Sequence, residues 1–362
     1  MGTEVRHYPC PGCGAEMHFS PKDGGLHCDY CERNEEVPCQ STGPKLPLSA
    51  YRDTAVTAAP TPIHCPKCGA GYEIPQGAFA TLCPYCDTPA LIDPKAPYRP
   101  ESLLPFQISQ KEAQKIFADW IGSLWLAPRA LKHLVDTQSE MKGYWLPWWL
   151  FDADTVSLYK GERGDAYYVT VPRRRIVNGR EQVVQEQERR IRWTPVSGRV
   201  ARDFRDLPVP AAENLPPDLL EKLPFPESAK RCTADERYCC GFNAYEYSRT
   251  PLASYKEAKE TMQNRIRQDV RRAIGGDEQR IYAIQTHYSG ESCEYTLRPI
   301  WSNAFRYKGK EYRFVIDGTS GEIAGDWPVS YWKIALIGLA IVLMILAFNW
   351  PKVAAWLQQL QG

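Results

Sequence analysis

Three features of the sequence predict a multidomain chain: eight cysteines in two matching sets, a long aromatic and β-branched midsection, and one uncharged apolar run near the end. The predicted order is two small zinc ribbons (rubredoxin-like), an α+β body with mostly antiparallel sheet, and one C-terminal transmembrane helix. At 362 residues two or three domains are expected. Hydrophobic residues at 43% can supply a core, and a net charge of +1 argues against a globally basic nucleic-acid binder. Thirty prolines point to many turns and few long helices.

The first cysteine set is Cys10-Pro-Gly-Cys13-Gly and Cys28-Asp-Tyr-Cys31; the second is Cys65-Pro-Lys-Cys68-Gly and Cys83-Pro-Tyr-Cys86. Each cysteine of the first recurs 55 positions later, which marks a duplicated module. Two CxxC pairs give four thiolates, the complement for tetrahedral zinc, so two Zn2+ per chain are expected. Iron fits the same four-thiolate cage, and pairing as disulfides within each CxxC is disfavoured for a body placed in a reducing compartment. A glycine after each first pair suits a tight knuckle, and Gly24-Gly25 and Gln76-Gly77 are candidate hairpin turns. His7, His18, His27 and His64 lie near these sites and read as surface residues.

The domain boundaries follow: zinc ribbon 1 at 1–34, a linker at 35–61, zinc ribbon 2 at 62–93, a Pro-rich joint at 94–105 and the body at 106–328. Residues 1–98 hold seven Lys/Arg and eleven Asp/Glu, a net of −4, which is poorly suited to phosphate binding. In the body, Ser109-Gln-Lys-Glu112 is a capping box ahead of a helix carrying Ala113, Ile116, Phe117, Trp120, Ile121 and Leu124 at helical spacing. A short helix is expected at Arg129–Val135, then strands from Gly143 whose aromatic density reads as sheet core. A long helix is expected over Ser254–Ile274, with a stripe of Tyr255, Ala258, Met262, Ile266, Val270 and Ile274. Strands follow at 280–288, 293–301 and 305–325. Cys232, Cys239, Cys240 and Cys293 read as structural thiols, and Cys39 has no assigned role.

Ile176-Val-Asn-Gly-Arg180 reads as a type I′ hairpin. From 160 to 205 there are twelve Lys/Arg and six Asp/Glu, a net of +6. Arg173, Arg174, Arg175, Arg180, Arg189, Arg190 and Arg192 are therefore candidate contacts for anionic lipid or nucleic acid, with a solvated, ion-paired strand face as the alternative.

The C-terminal run IALIGLAIVLMILAF (334–348) is short of the roughly 20 residues needed to span a bilayer. Val329, Tyr331, Trp332 and Trp350 extend it, giving an expected transmembrane helix at 329–350 and a short tail at 351–362. Lys333 is expected to snorkel, and Lys308, Lys310, Arg313 and Lys333 place the N-terminal body in the cytosol. The expectation is a single-pass protein of the cytoplasmic membrane, with the lipid bilayer as a partner.

Several motifs carry a resemblance: the CPxCG ribbons, Leu104-Pro-Phe-Gln-Ile, Gly143-Tyr-Trp-Leu-Pro-Trp-Trp-Leu-Phe-Asp152, Gly241-Phe-Asn-Ala-Tyr-Glu-Tyr247, Arg298-Pro-Ile-Trp301 and Tyr307 to Gly321. In this order they resemble a bacterial family of TFIIB-type zinc-ribbon, single-span membrane proteins often labelled "primosomal protein N′ (replication factor Y)" or helicase-like. The resemblance implies flotillin-like (SPFH) and phage-shock-type protein partners. No GxxxxGK[ST] loop exists, since Gly309-Lys310 precedes Glu311, so helicase activity is not expected. The expected function is a non-enzymatic, membrane-anchored scaffold. The second reading is a nucleic-acid-binding protein linked to replication or transcription.

Overall fold

The computed structural model describes all residues except 1–3, 55–58, 129–130, 132–140, 178–179, 213–218, 221, 227–229 and 360–362; of 175–177, 180–182, 346 and 349–359 it describes the backbone alone. Most of the expected second helix at 129–135 and the Asn178-Gly179 hairpin tip therefore lie outside the described residues.

The first module forms a small antiparallel sheet of β1 (His18–Ser20), β2 (Gly25–His27) and β3 (Asn34–Glu36). Gly24 turns the β1–β2 hairpin at φ 66°, a conformation that glycine adopts without strain. After β4 (Leu46–Pro47), the second module contributes β5 (Thr61–His64), β6 (Gly71–Ile74), β7 (Ala78–Leu82) and β8 (Pro89–Leu91). The body holds β9 (Ser102–Leu103), β10 (Lys142–Val177), β11 (Arg180–Pro210), β12 (Cys232–Thr233), β13 (Asn243–Tyr245), β14 (Glu278–Tyr307), β15 (Lys310–Asp317) and β16 (Ile323–Gly325). One eleven-stranded sheet combines these with β4, β7 and β8. Its spine is three very long strands, with β10 antiparallel to β11 on one side and to β14 on the other.

Helix α1 (Gln110–Ser123) has the expected capping box: the Ser109 hydroxyl accepts from the Glu112 amide, and the Glu112 carboxylate accepts from the Ser109 amide. Its buried residues are Ala113, Phe117 and Ile121. Helix α2 (Pro251–Ile274) starts three residues before the expected position because Thr250 caps it and Pro251 suits its first turn. Every member of the expected stripe is buried, and Gly275 ends the helix at φ 68°. The helix lies on one face of β10 and β11, where Arg202 forks onto Asp269 at 2.5 and 2.8 Å.

The aromatic midsection is core, as expected. Trp145, Trp149 and Phe151 are buried on β10, and Trp149 packs against Tyr51, Tyr247 and Tyr295 with ring centroids 5.0 to 5.7 Å apart. Three indole N–H groups are satisfied inside the fold: Trp145 donates to Tyr238 O at 3.1 Å, Trp149 to Arg249 O at 2.9 Å and Trp301 to Ile108 O at 2.8 Å, whereas the buried Trp148 Nε1 has no hydrogen-bond partner among the described residues.

Within the expected linker, residues 39–47 form a strap against the body. Cys39 is disulfide-bonded to Cys232, and Thr233 donates its amide to Gln40 O at 2.9 Å. β4 pairs with β14, and Lys45, nearly buried, sits between Asp152 and Asp206. Asp152 is thus held in a cation network at the β-bulge where the β10–β11 register shifts. The bond closes a loop across a sequence separation of 193, so it constrains the unfolded chain strongly. Cys39→Ser is expected to cost about 2–4 kcal/mol, read as a lower urea midpoint with unchanged metal content.

The predicted fold class needs correction at the C-terminus. Among the described residues no helix is long and apolar enough to cross a membrane. Helix α3 (Tyr331–Gln359) contains the apolar run, but residues 334–348 make about 22 Å of helix against a hydrocarbon core of about 30 Å. Beside the run, Ser330 and Lys333 are tied to the body, while Tyr331 and Trp332 are exposed. Val329 precedes the helix, Ser330 donates its amide to Leu126 O at 2.9 Å, and Lys333 Nζ donates to Trp125 O at 2.5 Å and Ala127 O at 2.7 Å instead of snorkelling. The single-pass topology, the cytoplasmic-membrane localisation and the bilayer anchor fall with this span. The cytosolic placement also leaned on reduced thiols, and Cys39–Cys232 is bonded.

Candidate metal centres and the basic arm

Each cysteine pair sits on a knuckle built by the same backbone bonds. In the first, Cys10 N donates to Ala15 O and Gly14 N donates to Cys10 O at 2.9 Å. The pattern recurs as Glu32 to Cys28, Gly69 to Cys65 and Asp87 to Cys83, at 2.9 to 3.0 Å. Every knuckle needs a left-handed residue after its second cysteine, at Gly14 (φ 75°), Glu32 (57°), Gly69 (72°) and Asp87 (55°). The two glycines were legible in the sequence as turn residues. Glu32 and Asp87 were not, although they stand 55 positions apart like the cysteines.

The sequence-predicted ligands come together as two clusters, Cys10, Cys13, Cys28, Cys31 and Cys65, Cys68, Cys83, Cys86, with all Sγ atoms of a cluster within 4.8 Å. Cys10–Cys31 and Cys13–Cys28 are 3.5 Å apart, Cys65–Cys86 3.6 Å and Cys68–Cys83 3.8 Å. These separations are far beyond the roughly 2.05 Å of a disulfide. They match the edge of a sulfur tetrahedron, about 3.8 Å when each metal–sulfur bond is about 2.3 Å. The donor set therefore fits a four-thiolate metal ion in both modules. Within each cluster the thiol pKa values are driven apart: the Gly12 amide, 3.4 Å from Cys10 Sγ, lowers the Cys10 pKa to about 6, and the Thr88 hydroxyl, 3.2 Å from Cys86 Sγ, lowers Cys86 to about 6, whereas Cys31 and Cys68 are pushed up to about 12.

Neither module hangs free. The Phe19 amide donates to Cys240 O at 2.9 Å while its ring packs on Tyr238 at 4.7 Å, and Arg6 bridges to Leu91 on β8. β7 pairs with β13, so the second module is spliced into the body sheet. Cys239 closes a 3-10 turn (Glu236–Cys239) rather than lying on a strand, and Cys239, Cys240 and Cys293 are free and buried. Burial raises all three thiols, which keeps them protonated and unreactive. His18 and His27 face each other across β1 and β2 and contact Asp29 and Asp23, outside the thiolate cages.

The basic stripe is divided by strand alternation. Arg173, Arg190 and Arg192 lie on one face of the β10–β11 arm, and Arg174 and Arg189 on the other. Arg173 lies 3.5 Å from Glu186 and 3.9 Å from Glu188, Arg190 is 3.2 Å from Glu188, Arg189 is 2.9 Å from Glu278, and Arg192 stacks 5.4 Å over Tyr167. The side chains of Arg175 and Arg180 lie outside the described residues. The arrangement is that of an ion-paired strand face.

Tyr30 and Tyr85 occupy the same place in the two modules, one residue before the last ligand of each, and are 83% and 70% exposed. The repeat could have identified them, because they too are 55 positions apart.

No family model matches the chain, and no solved structure matches it. The chain is similar to YdjG of Bacillus subtilis (strain 168), a protein named as uncharacterized, at 24% identity over 341 residues, covering 91% of this chain and 92% of that one.

Proposed function

We propose that this chain is a non-enzymatic adaptor whose two four-cysteine modules each hold a zinc ion and present their second knuckle to a protein partner. The observation that carries this reading is the pair Tyr30 and Tyr85. The two exposed rings recur at the same place on both knuckles, and Tyr is among the residues that dominate protein interfaces. Zinc would act here as a cross-link that fixes the knuckle, held by the eight thiolates named above. The net of −4 over residues 1–98 favours a protein over a polyanion. SPFH-type and phage-shock-type proteins, implied by the resemblance, are the first partners to test.

The test is capture by the full chain, with crosslinking and mass spectrometry, beside the Tyr30→Ala/Tyr85→Ala variant. Truncating such anchors is expected to weaken a specific partner by roughly 10- to 100-fold with zinc content unchanged. Sub-micromolar binding to one DNA or RNA sequence at physiological salt, lost with either module, would replace this reading by the nucleic-acid one.

A further inference from the structure

The hairpin of β10 and β11 outruns the rest of the sheet. Pairing between β10 and β14 stops at Gly164, and beyond it only β10 and β11 continue, from Asp165–Arg192 to Val177–Arg180. At about 3.4 Å per residue this arm projects roughly 40 Å. A two-stranded arm has two edges, and alternate residues on each strand turn their N–H and C=O groups outward.

The β10 edge is obstructed at its base and at Pro172. Gly164 O accepts from the Asp277 amide at 2.8 Å, and the Ala166 amide donates to the Asp277 carboxylate at 2.7 Å. Pro172, opposite Gln185, has no N–H to offer. These three positions are all even-numbered, so the outward residues of β10 are the even ones. Their opposite numbers on β11 are odd: Val183, Gln185, Gln187, Arg189, Ile191 and Trp193. These turn their backbone groups to the outer side, where β11 pairs with no strand among the described residues. Pro195, opposite Glu162, ends the open run.

We infer that this β11 edge pairs antiparallel with the same edge of a second copy of the chain, about a two-fold axis at Arg189. Charge selects both the occupant and the register. Centring on Arg189 sets Glu188 opposite Arg190 of the partner subunit and Glu186 opposite Arg192 of the partner subunit, and symmetry repeats both pairs. Centring on Gln187 would oppose Glu186 to Glu188, and centring on Ile191 would oppose Arg190 to Arg192. The like pair at the axis lies on the other face, where each Arg189 already has Glu278 at 2.9 Å. A segment that is self-complementary about one residue fits its own copy better than an unrelated strand.

Sedimentation velocity on the full chain over a concentration series tests this. A reversible dimer is expected. Glu188→Arg sets one arginine against Arg190 of the partner subunit, twice by symmetry, and should weaken association by roughly tenfold or more. The swapped variant E188R/R190E restores opposite charges in the same register and should restore the dimer, while Gln187→Pro, which removes an outward N–H, should abolish it. Metal content checks that each variant is folded. A monomeric wild type overturns the inference. So does association that ignores both E188R and Gln187→Pro, which would locate it elsewhere, for instance on the exposed apolar side chains of α3. Failure of E188R/R190E to rescue would overturn the register.

Discussion

Replacing Cys10 and Cys13 with serine is expected to halve the metal content, from the proposed two zinc ions per chain to one, and to unfold the first module. The two Sγ atoms lie on one edge of a four-sulfur cage, so the variant leaves Cys28 and Cys31 as a two-thiolate remnant. Structural zinc in small modules binds with about 10–16 kcal/mol, and that is essentially the module's folding energy, because its strands of three residues bury little. The effect should spread across one boundary only. Phe19 leaves the Tyr238 ring, but β7 remains paired to β13 and to β8. Metal analysis should therefore read one ion, and hydrogen exchange should rise over 4–37 while the second module stays protected. Loss of both ions, or no zinc in the wild type, would defeat this account.

What the sequence revealed depended on how far each signal reaches. Local rules worked where the chain closes its own contacts. The α1 capping box, the α2 stripe and the two CxxC sets are fixed by residues within a few turns of one another. Contacts that close over long separations were not legible. Cys39 and Cys232 are joined through the strap, and Lys45 reaches Asp152 and Asp206 across the sheet. Composition misled twice. The arginine count over 160–205 suggested one basic surface, but period-two alternation puts Arg173 and Arg174 on opposite faces and Glu186 and Glu188 beside the former. The apolar run at 334–348 suggested a span, but no described helix is long and apolar enough to cross a membrane, and Ser330 and Lys333 beside the run are tied to the carbonyls of Trp125, Leu126 and Ala127. The two strands expected at 280–288 and 293–301 are one continuous β14, because the bulge at Gly290 does not end its pairing to β10, and the strand expected at 305–325 divides into the end of β14, β15 and β16.

Asp317→Asn is expected to destabilise the body by about 3–5 kcal/mol, roughly the cost of leaving a buried charge without its partner. Arg298 and Asp317 are both fully buried, with Nε 2.6 Å from Oδ2. Desolvation lowers the Arg298 pKa, and Asp317 is the first group that offsets this. Two further contacts hold the guanidinium: Nη2 donates to Pro224 O at 2.7 Å, and Trp148 and Phe225 rings lie 5.1 and 5.3 Å from it. The other carboxylate oxygen accepts from the Thr319 and Ser320 amides at 2.9 and 2.6 Å, which folds the Asp317–Gly321 turn against Phe106. Asparagine keeps an oxygen for those amides but turns an NH2 donor toward the Arg298 Nε–H, so the variant removes both the charge and the acceptor of the ion pair while sparing the turn. Urea unfolding should show a lower midpoint at constant slope, and R298M/D317N should recover part of the loss because no buried charge remains. The exposed pair Arg190–Glu188 supplies the contrast, since neutralising it alone should change monomer stability by less than about 1 kcal/mol. Equal losses at the two sites would mean that burial does not set the strength of these pairs. The resemblance motifs around Arg298 and Asp317 would then need a role other than holding β14 to β15.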